Sequence, residues 1–543
     1  MAETIAMHRE DVLPPGTVHL LHLHAHQADE KILVPKPSDH PDDPLNWTKA
    51  RKMLNLSLVL FYVFTTGVGG TSVYSVFTPI SEDTGITIAQ LNNGTGYLFL
   101  LAGWTNLIWQ PLALTFGRRP VILLSLVFCV AITEWTAWID SYGPWAAARC
   151  LYGFACAPVE VLPEICIPDI FFAHERGGYI GIYMMILCGS NFIAPLIAGF
   201  MNDAYGWHWV QHWAAILLGA NLVLSFFFQE ETLFTRSTVE AERVDELSSP
   251  VEEEQVFTGK GPAPDSAAPA STLPVNSTIT SSSPYKLKTF WDKMSLWTYS
   301  GISTSQFLSM MYRPILIFFQ FPNVMWAGFM YGTSLSWYNV YNATTSVILS
   351  SDPYNFSPAM VGLSYVAPLI GTLIAGALTG PVSDWYTLKL ARRADGLREP
   401  EQRLWGLVLY CVLMPVGLIL WGIGAAHKLH WAVLLLGSIL NGYCNVAGGS
   451  YAIAYNVDSF KEIAGESIVS VILCRNSMSF GFNYAITPWI ARQGLQNTFI
   501  AVSILSCAFG CTFLLMVWRG KYFRTICADR YWRYVATQVV KHE

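Results

Sequence analysis

Charge is what this sequence lacks. Lys, Arg, Asp and Glu make up 13% of its 543 residues, against roughly 25% in an ordinary soluble domain. So few charges cannot clothe a soluble surface. The 52% of hydrophobic residues instead falls into repeated apolar runs of about 20, the length that crosses a bilayer. No secretory leader precedes the first run, which begins near Leu54 after a polar, proline-punctuated stretch, so the N-terminus is expected to stay in the cytoplasm. No G-x-x-x-x-G-K-[ST] run occurs, which argues against a nucleotide-driven pump. Histidines are scarce in the runs apart from His208 and His212, and no nucleophile–base pair or metal cluster stands out. An enzyme is therefore not expected, nor a cofactor, a structural metal or nucleic acid. The eleven cysteines lie mostly inside apolar runs (Cys129, Cys156, Cys188, Cys411, Cys444, Cys474, Cys507). They read as small buried residues rather than a disulfide framework.

What is present is an all-α integral membrane chain. Hydropathy marks twelve spans, near 54–78, 91–113, 119–138, 145–167, 177–200, 209–229, 313–345, 359–382, 404–424, 431–455, 466–490 and 497–518. Residues 1–53 form an N-terminal tail, 54–229 a first six-helix bundle, 313–518 a second, and 519–543 a C-terminal tail. Between the bundles, 230–312 is acidic and rich in Ser, Pro and Ala, the composition of a largely disordered linker. Six plus six spans suggest two repeated halves with a substrate site between them near the midplane. Basic residues fix an orientation. Lys49, Arg51, Lys52, Arg118, Arg119, Arg176, Arg392, Arg393, Arg398, Arg403, Arg519, Lys521 and Arg524 all fall on one side, whereas the other side holds Lys428 and Arg492. Both termini and the linker are expected inside.

Several motifs resemble those of fungal major facilitator superfamily transporters. "DDPLNW" followed by "RK" precedes the first span, and "QPLALTFGRRPV" (Gln110 to Val121) is similar to the superfamily's G-x-L-a-D-r-x-G-R-R loop. "RCLYG" is similar to the fourth-span motif. Gly181, Ser190, Ala194, Pro195, Ala198 and Gly199 keep the spacing of the fifth-span antiporter motif, with three glycines replaced by other small residues. "YNVDSFKE" and "RNSMSFGFNYAITPW" resemble a branch that includes polyamine and cation transporters, close to the 12-spanner drug:proton antiporters. The resemblance covers the chain outside its first 40 residues and the linker. It implies the major facilitator fold, two pseudo-symmetric six-helix halves, monomeric action, and proton-coupled movement of a small molecule. One departure stands out: Leu114 occupies the place of the loop's acid, while the second half keeps Asp384, with Arg392 and Arg393 following. Arg118, Arg119, Asp384, Arg392, Arg393 and Asp458 are the candidate gating residues.

The fourth span carries the strongest signal for a site. On a helix, Glu160 points within about 20° of Arg149 and Glu164 within about 60°, so all three face one side, away from lipid. Glu160 lies roughly 16 Å further along the axis than Arg149, too far for a direct pair. Pro158 and Pro163 free backbone carbonyls and allow a bend. An inward carboxylate on such a helix could exchange protons or attract an organic cation; the alternative is a structural bond to a neighbouring span. Arg149 would, by resemblance, take part in proton coupling. Arg475 is the base inside the second half's spans, beside Asn476. Its anionic partner is expected in Asp458 or Glu466, and a structural clamp is as natural a role as a substrate contact.

Aromatics crowd the seventh span (Trp337, Tyr338, Tyr341) and the eleventh (Phe480, Phe482, Tyr484). They serve as interfacial belts or, where they face a cavity, as cation contacts, and Tyr484 is the candidate for the latter. The small residues of the fifth span also suit close helix packing whatever the function. Asn93 and Asn355 are acceptor sequons on the outer side. His19, His22, His24 and His26, in a tail without nearby carboxylates or cysteines, read as a polar stretch rather than a metal site.

Two transport readings compete: proton-coupled antiport (efflux) of a drug-like or secondary metabolite, and proton-coupled uptake of organic cations such as polyamines. A transporter-like nutrient sensor is a third reading, which the presence of Arg149 and Glu160 disfavours. The plasma membrane is the expected location, with the vacuolar membrane as the alternative.

Overall fold

The computed structural model describes residues 14–19, 43–234, 302–393 and 397–539. Most of the expected disordered linker and the histidine run after His19 lie outside the described residues. Among the described residues, nine helical segments are long and apolar enough to cross a membrane, ten with a bent pair counted as one. Two breaks raise the number of membrane-length arms among the described residues. Ala464–Ala536 runs 73 residues, but Gly494 adopts a left-handed φ of 77° inside it. There Thr498 Oγ1 donates to the Trp489 carbonyl nine residues back, at 3.4 Å. A continuous helix would hold those residues about 13 Å apart, so the chain reverses at Gly494. The second span, Ile88–Trp104 and Asn106–Phe116, is interrupted at Thr105. Twelve arms result, six before and six after the linker.

The chain thus forms a multi-pass membrane protein built as two six-helix halves. The first half contains Lys49–Thr71, the broken second span, Arg118–Thr136, the fourth span, Ala173–Tyr205 and Trp207–Phe228. The second contains Pro322–Ser350, Pro358–Arg393 with a break at Tyr365, Leu407–Ala426, Trp431–Ser459 and the two arms meeting at Gly494. The fourth span is itself broken as its prolines dictate: an α-helix Tyr142–Cys156, a 3-10 turn Ala157–Glu160, and a further helix Leu162–Ile170 with Pro163 in its first turn.

The seventh span corrects the hydropathy reading of 313–345. A separate helix, Thr304–Gln320, ends at Phe321, and Pro322 opens the true span at 94° to it. Proline has no N–H to continue the preceding helix and pushes Phe321 out of the helical region. Both helices are apolar, so hydropathy alone fuses them. This transverse helix joins the halves on the basic face. It packs against the second span, and Arg313 pairs with Glu466 at 3.2 Å.

Fifth-span small residues seat two helices. A side chain at Gly67 in the first span would overlap Ser190 Oγ, and one at Gly199 would overlap the Pro358 carbonyl and crowd Gly362 of the eighth span. Ala194 and Ala198 are fully buried. Gly181 departs from the expected packing role: it is exposed, with open space around it.

Near the chain's start, Pro14–His19 lies against the second half. Val18–His19 pairs antiparallel with Leu397–Arg398. Gly16, at φ +83°, sits so close to the Asp458 carbonyl and Ser459 that no side chain would fit. Arg524, with no exposed surface, donates to the Pro15 carbonyl and to Thr17 Oγ1 at 3.0 Å. The same guanidinium forks onto Glu401 at 2.8 and 2.7 Å.

Candidate functional site

A cavity of about 970 Å³ opens between the halves. The first, second, fourth and fifth spans line one side, through residues such as Thr66, Tyr74, Tyr152 and Asn191. The seventh, tenth and eleventh line the other, through Tyr331, Asn445 and Arg475. The break in the fourth span places Glu160 here, because the 3-10 turn interrupts the helix where Pro158 removes a backbone donor.

Glu160 pairs with Arg475 of the opposite half. Its second oxygen accepts from Asn476 Nδ2 at 3.1 Å. Arg475 is fully engaged: Nη1 donates to the Tyr331 hydroxyl at 2.9 Å, Nε to Asn476 Oδ1 at 3.1 Å, and the guanidinium lies over the Tyr331 ring at 4.7 Å. The expectation that Asp458 or Glu466 partners Arg475 is thereby corrected: Glu466 holds Arg313 and Asp458 holds Arg403. The true partner comes from the other half, which spacing within one half cannot reveal. Among the ion pairs between described residues, Glu160–Arg475 alone joins the halves.

Glu164 lies one turn beyond Glu160 and shares with it, Tyr183, Tyr331 and Arg475 a smaller void of about 260 Å³. It has no ion pair of its own among the described residues, so it is the free carboxylate of the pair. Arg149 is buried elsewhere: Nη2 donates to the Gly70 carbonyl at 2.7 Å and the guanidinium sits over Trp145. Arg149 and Glu160 thus engage different partners. Tyr484 is outside the site, 53% exposed beside Phe480 and not among the cavity-lining residues. Tyr331, absent from the sequence candidates, takes the place expected for an aromatic contact; nothing marks it in the sequence apart from its position on the seventh span.

On the basic face, the two halves carry parallel clusters. Arg118 pairs with Asp169 at 3.2 Å, where the fourth span ends. The backbone amides of Arg118 and Arg119 donate to the Glu231 carboxylate at 2.9 and 3.0 Å. In the second half Arg403 bridges Asp384 at 2.9 Å and Asp458 at 3.5 Å. Arg392 and Arg393, expected to serve that cluster, are instead exposed at the end of the eighth span. Asp169, Glu231 and Arg403 are the members that motif matching misses. Asp169 and Glu231 supply the acids that the first-half loop lacks at Leu114.

The opposite face is bridged between halves by Thr78 Oγ1 and Ser346 Oγ at 2.9 Å, and by Asn92 Nδ2 donating to Thr487 Oγ1 at 3.2 Å. Asn93, beside this bridge, lies in the second turn of the Ile88–Trp104 helix and is half-buried. The span begins earlier than hydropathy indicates, which removes Asn93 from the loop a glycan acceptor needs. Asn355 is exposed in the loop before Pro358.

The comparisons agree with this architecture. The chain is 28% identical over 548 residues to an uncharacterised MFS-type transporter of Schizosaccharomyces pombe, covering 96% of this chain and 94% of that protein. It is 26% identical to Protein HOL1 of Saccharomyces cerevisiae, covering 91% and 90%, and 22% identical to the MFS antiporter QDR3 of Candida albicans, covering 91% and 81%. A crystal structure of a POT family transporter in complex with a thioalcohol-conjugated peptide shares the fold, with a TM-score of 0.58 over 85% of this chain and 95% of that one, at 12% identity. Residues 59–336 match the family model described as Major Facilitator Superfamily, and the chain is a membrane transporter belonging to that superfamily.

Proposed function

We propose that this transporter is a proton-coupled antiporter exporting a small organic molecule by alternating access, with Glu160 as the coupling carboxylate. One observation carries the reading: the single ion pair between the halves among the described residues, Glu160–Arg475, lies in the cavity where a substrate would sit. Ionised, Glu160 holds Arg475 and ties the halves together. Protonated, it no longer attracts the guanidinium, and the constraint on their relative rotation loosens. Glu164, one turn away and without an ion pair among the described residues, passes the proton between Glu160 and the basic face. A substrate that engages Arg475 or Tyr331 competes with the same carboxylate, which links the two ligands through one site.

The fifth-span packing motif and the antiporter name of the Candida relative support export. The excess of Arg and Lys on one face supports an orientation with both termini and the linker cytoplasmic. The Arg118–Asp169 and Asp384–Arg403–Asp458 clusters then act as cytoplasmic gates, in a monomer of the plasma membrane. The second reading, uptake of organic cations, is favoured by the free Glu164 carboxylate beside the Tyr183 and Tyr331 rings, a combination that attracts cations.

Proteoliposomes enclosing a pH-sensitive dye test both readings, with ethidium and spermidine as probes under an imposed pH gradient. Export by antiport requires proton counterflow on probe addition in the parent and its loss in Glu160→Gln. If Glu160→Gln drives a probe up its gradient as well as the parent does, Glu160 is not the coupling group. Spermidine moving together with protons establishes the uptake reading instead.

A further inference from the structure

The transverse helix Thr304–Gln320 and the last helix, Phe513–Val539, meet in a groove whose lining is separate from that of the central cavity. On the transverse helix, Leu308, Tyr312, Leu316 and Phe319 are 56%, 52%, 40% and 74% exposed. At 100° per residue they share one stripe about 80° wide. Running at 94° to a membrane span, this helix lies in the membrane plane with an apolar face turned to lipid, the arrangement of an interfacial helix. Beyond it, the last helix exposes Arg519, Tyr522, Ile526, Arg530 and Arg533, also on one stripe. Arginines interleaved with aromatics suit the headgroup level.

Between the two helices is a cavity of about 530 Å³ lined by Tyr312, Arg313, Leu316, Arg533 and Tyr534. Arg313 sits over the Tyr534 ring, and Tyr534 donates to Gln320 Oε1 at 3.0 Å, so the walls are fixed to one another. Two guanidinium-bearing residues and two tyrosines therefore line one groove at the membrane surface. Among the described residues, the Glu466 carboxylate is held by Arg313, and the Asp529 backbone carbonyl accepts from Arg533 Nε at 3.2 Å.

We propose that this groove binds the headgroup of an anionic phospholipid, whose acyl chains lie along the Leu308–Phe319 stripe. The phosphate is held by Arg533 with Arg313 behind it, and the Tyr312 hydroxyl donates to a headgroup oxygen. The site communicates with the cavity through the eleventh span. Arg313 holds Glu466 in the first turn of that span, and the Pro314 carbonyl accepts from Ser470 at 2.6 Å. Arg475 follows on the same helix. A lipid that orders the transverse helix therefore steadies the segment carrying Arg475.

The test is thermal unfolding of the purified full-length protein in detergent, titrated with phosphatidylserine, with phosphatidylcholine, and with inorganic phosphate alone. Phosphatidylserine is expected to raise the midpoint by several degrees at saturation, and phosphatidylcholine and phosphate to leave it in place. Arg533→Gln should weaken the apparent affinity for phosphatidylserine about five-fold, the loss of one basic contact at a lipid surface. Arg533→Lys should retain most of the affinity, which separates charge from folding defects. Equal shifts with phosphatidylcholine overturn the headgroup claim. A shift with phosphate alone overturns the lipid claim in favour of a free anion. A titration unaltered in Arg533→Gln overturns the site.

Discussion

Replacing Arg475 by methionine removes the cation from the buried pair between the halves and leaves Glu160 with Asn476 as its remaining side-chain partner among the described residues. The two side chains are only 5% and 12% exposed, so the screening that makes surface pairs weak is absent. Breaking such a pair from one side costs about 3–5 kcal/mol, whereas replacing both partners with well-packed neutral groups is close to neutral. Arg475→Met and Glu160→Gln should therefore each destabilise by about 3–5 kcal/mol, and the double variant by far less than their sum. At roughly 2 °C per kcal/mol, each single change lowers the unfolding midpoint by about 6–10 °C, and the double change by much less. Unfolding can be followed with a thiol-reactive dye, because Cys129, Cys156 and Cys166 are buried in the folded state. If the double variant falls by the sum of the singles, the pair contributes no coupling and its proposed role in tying the halves fails.

Gly199→Leu should be poorly tolerated, because the added side chain meets the Pro358 carbonyl and Gly362 across the seam between halves; overpacking costs about 1–3 kcal/mol, read as a midpoint lowered by about 2–6 °C. In a eukaryotic secretory host, Asn355→Gln should abolish the mobility change produced by glycosidase treatment, while Asn93→Gln should leave it unchanged; the reverse would contradict the helix start at Ile88.

The number and order of the spans were legible because hydropathy reports directly on contact with lipid. The inward aim of Glu160 was legible too, since helical periodicity places it with Arg149 and Glu164. Its partner was not. Arg475 lies more than 300 residues away (315 by position), and the register between the halves is set by packing that a single sequence does not display. The same limit hid Asp169 and Glu231: the motif reserves a position for an acid at Leu114, and folding supplies acids from the ends of two other spans. The start of the seventh span was misread for a different reason. The residues around Phe321 are as apolar as their neighbours, and only backbone stereochemistry at Pro322 distinguishes a corner from a continuous span.

Pro14–His19 has a consequence for biogenesis. Its Pro15 carbonyl is satisfied by Arg524, 509 residues downstream. Ribosomes deliver chains from the N-terminus and domains ordinarily fold in that order, yet this early segment has no finished seat until the last helix has emerged. The first half can insert and pack while the segment waits, and a contact of such sequence separation closes late. Docking of Gly16 onto the end of the tenth span is thus a final step of maturation. Chains stalled before Arg524 should display the Pro14–His19 epitope to an antibody that fails to recognise the completed transporter.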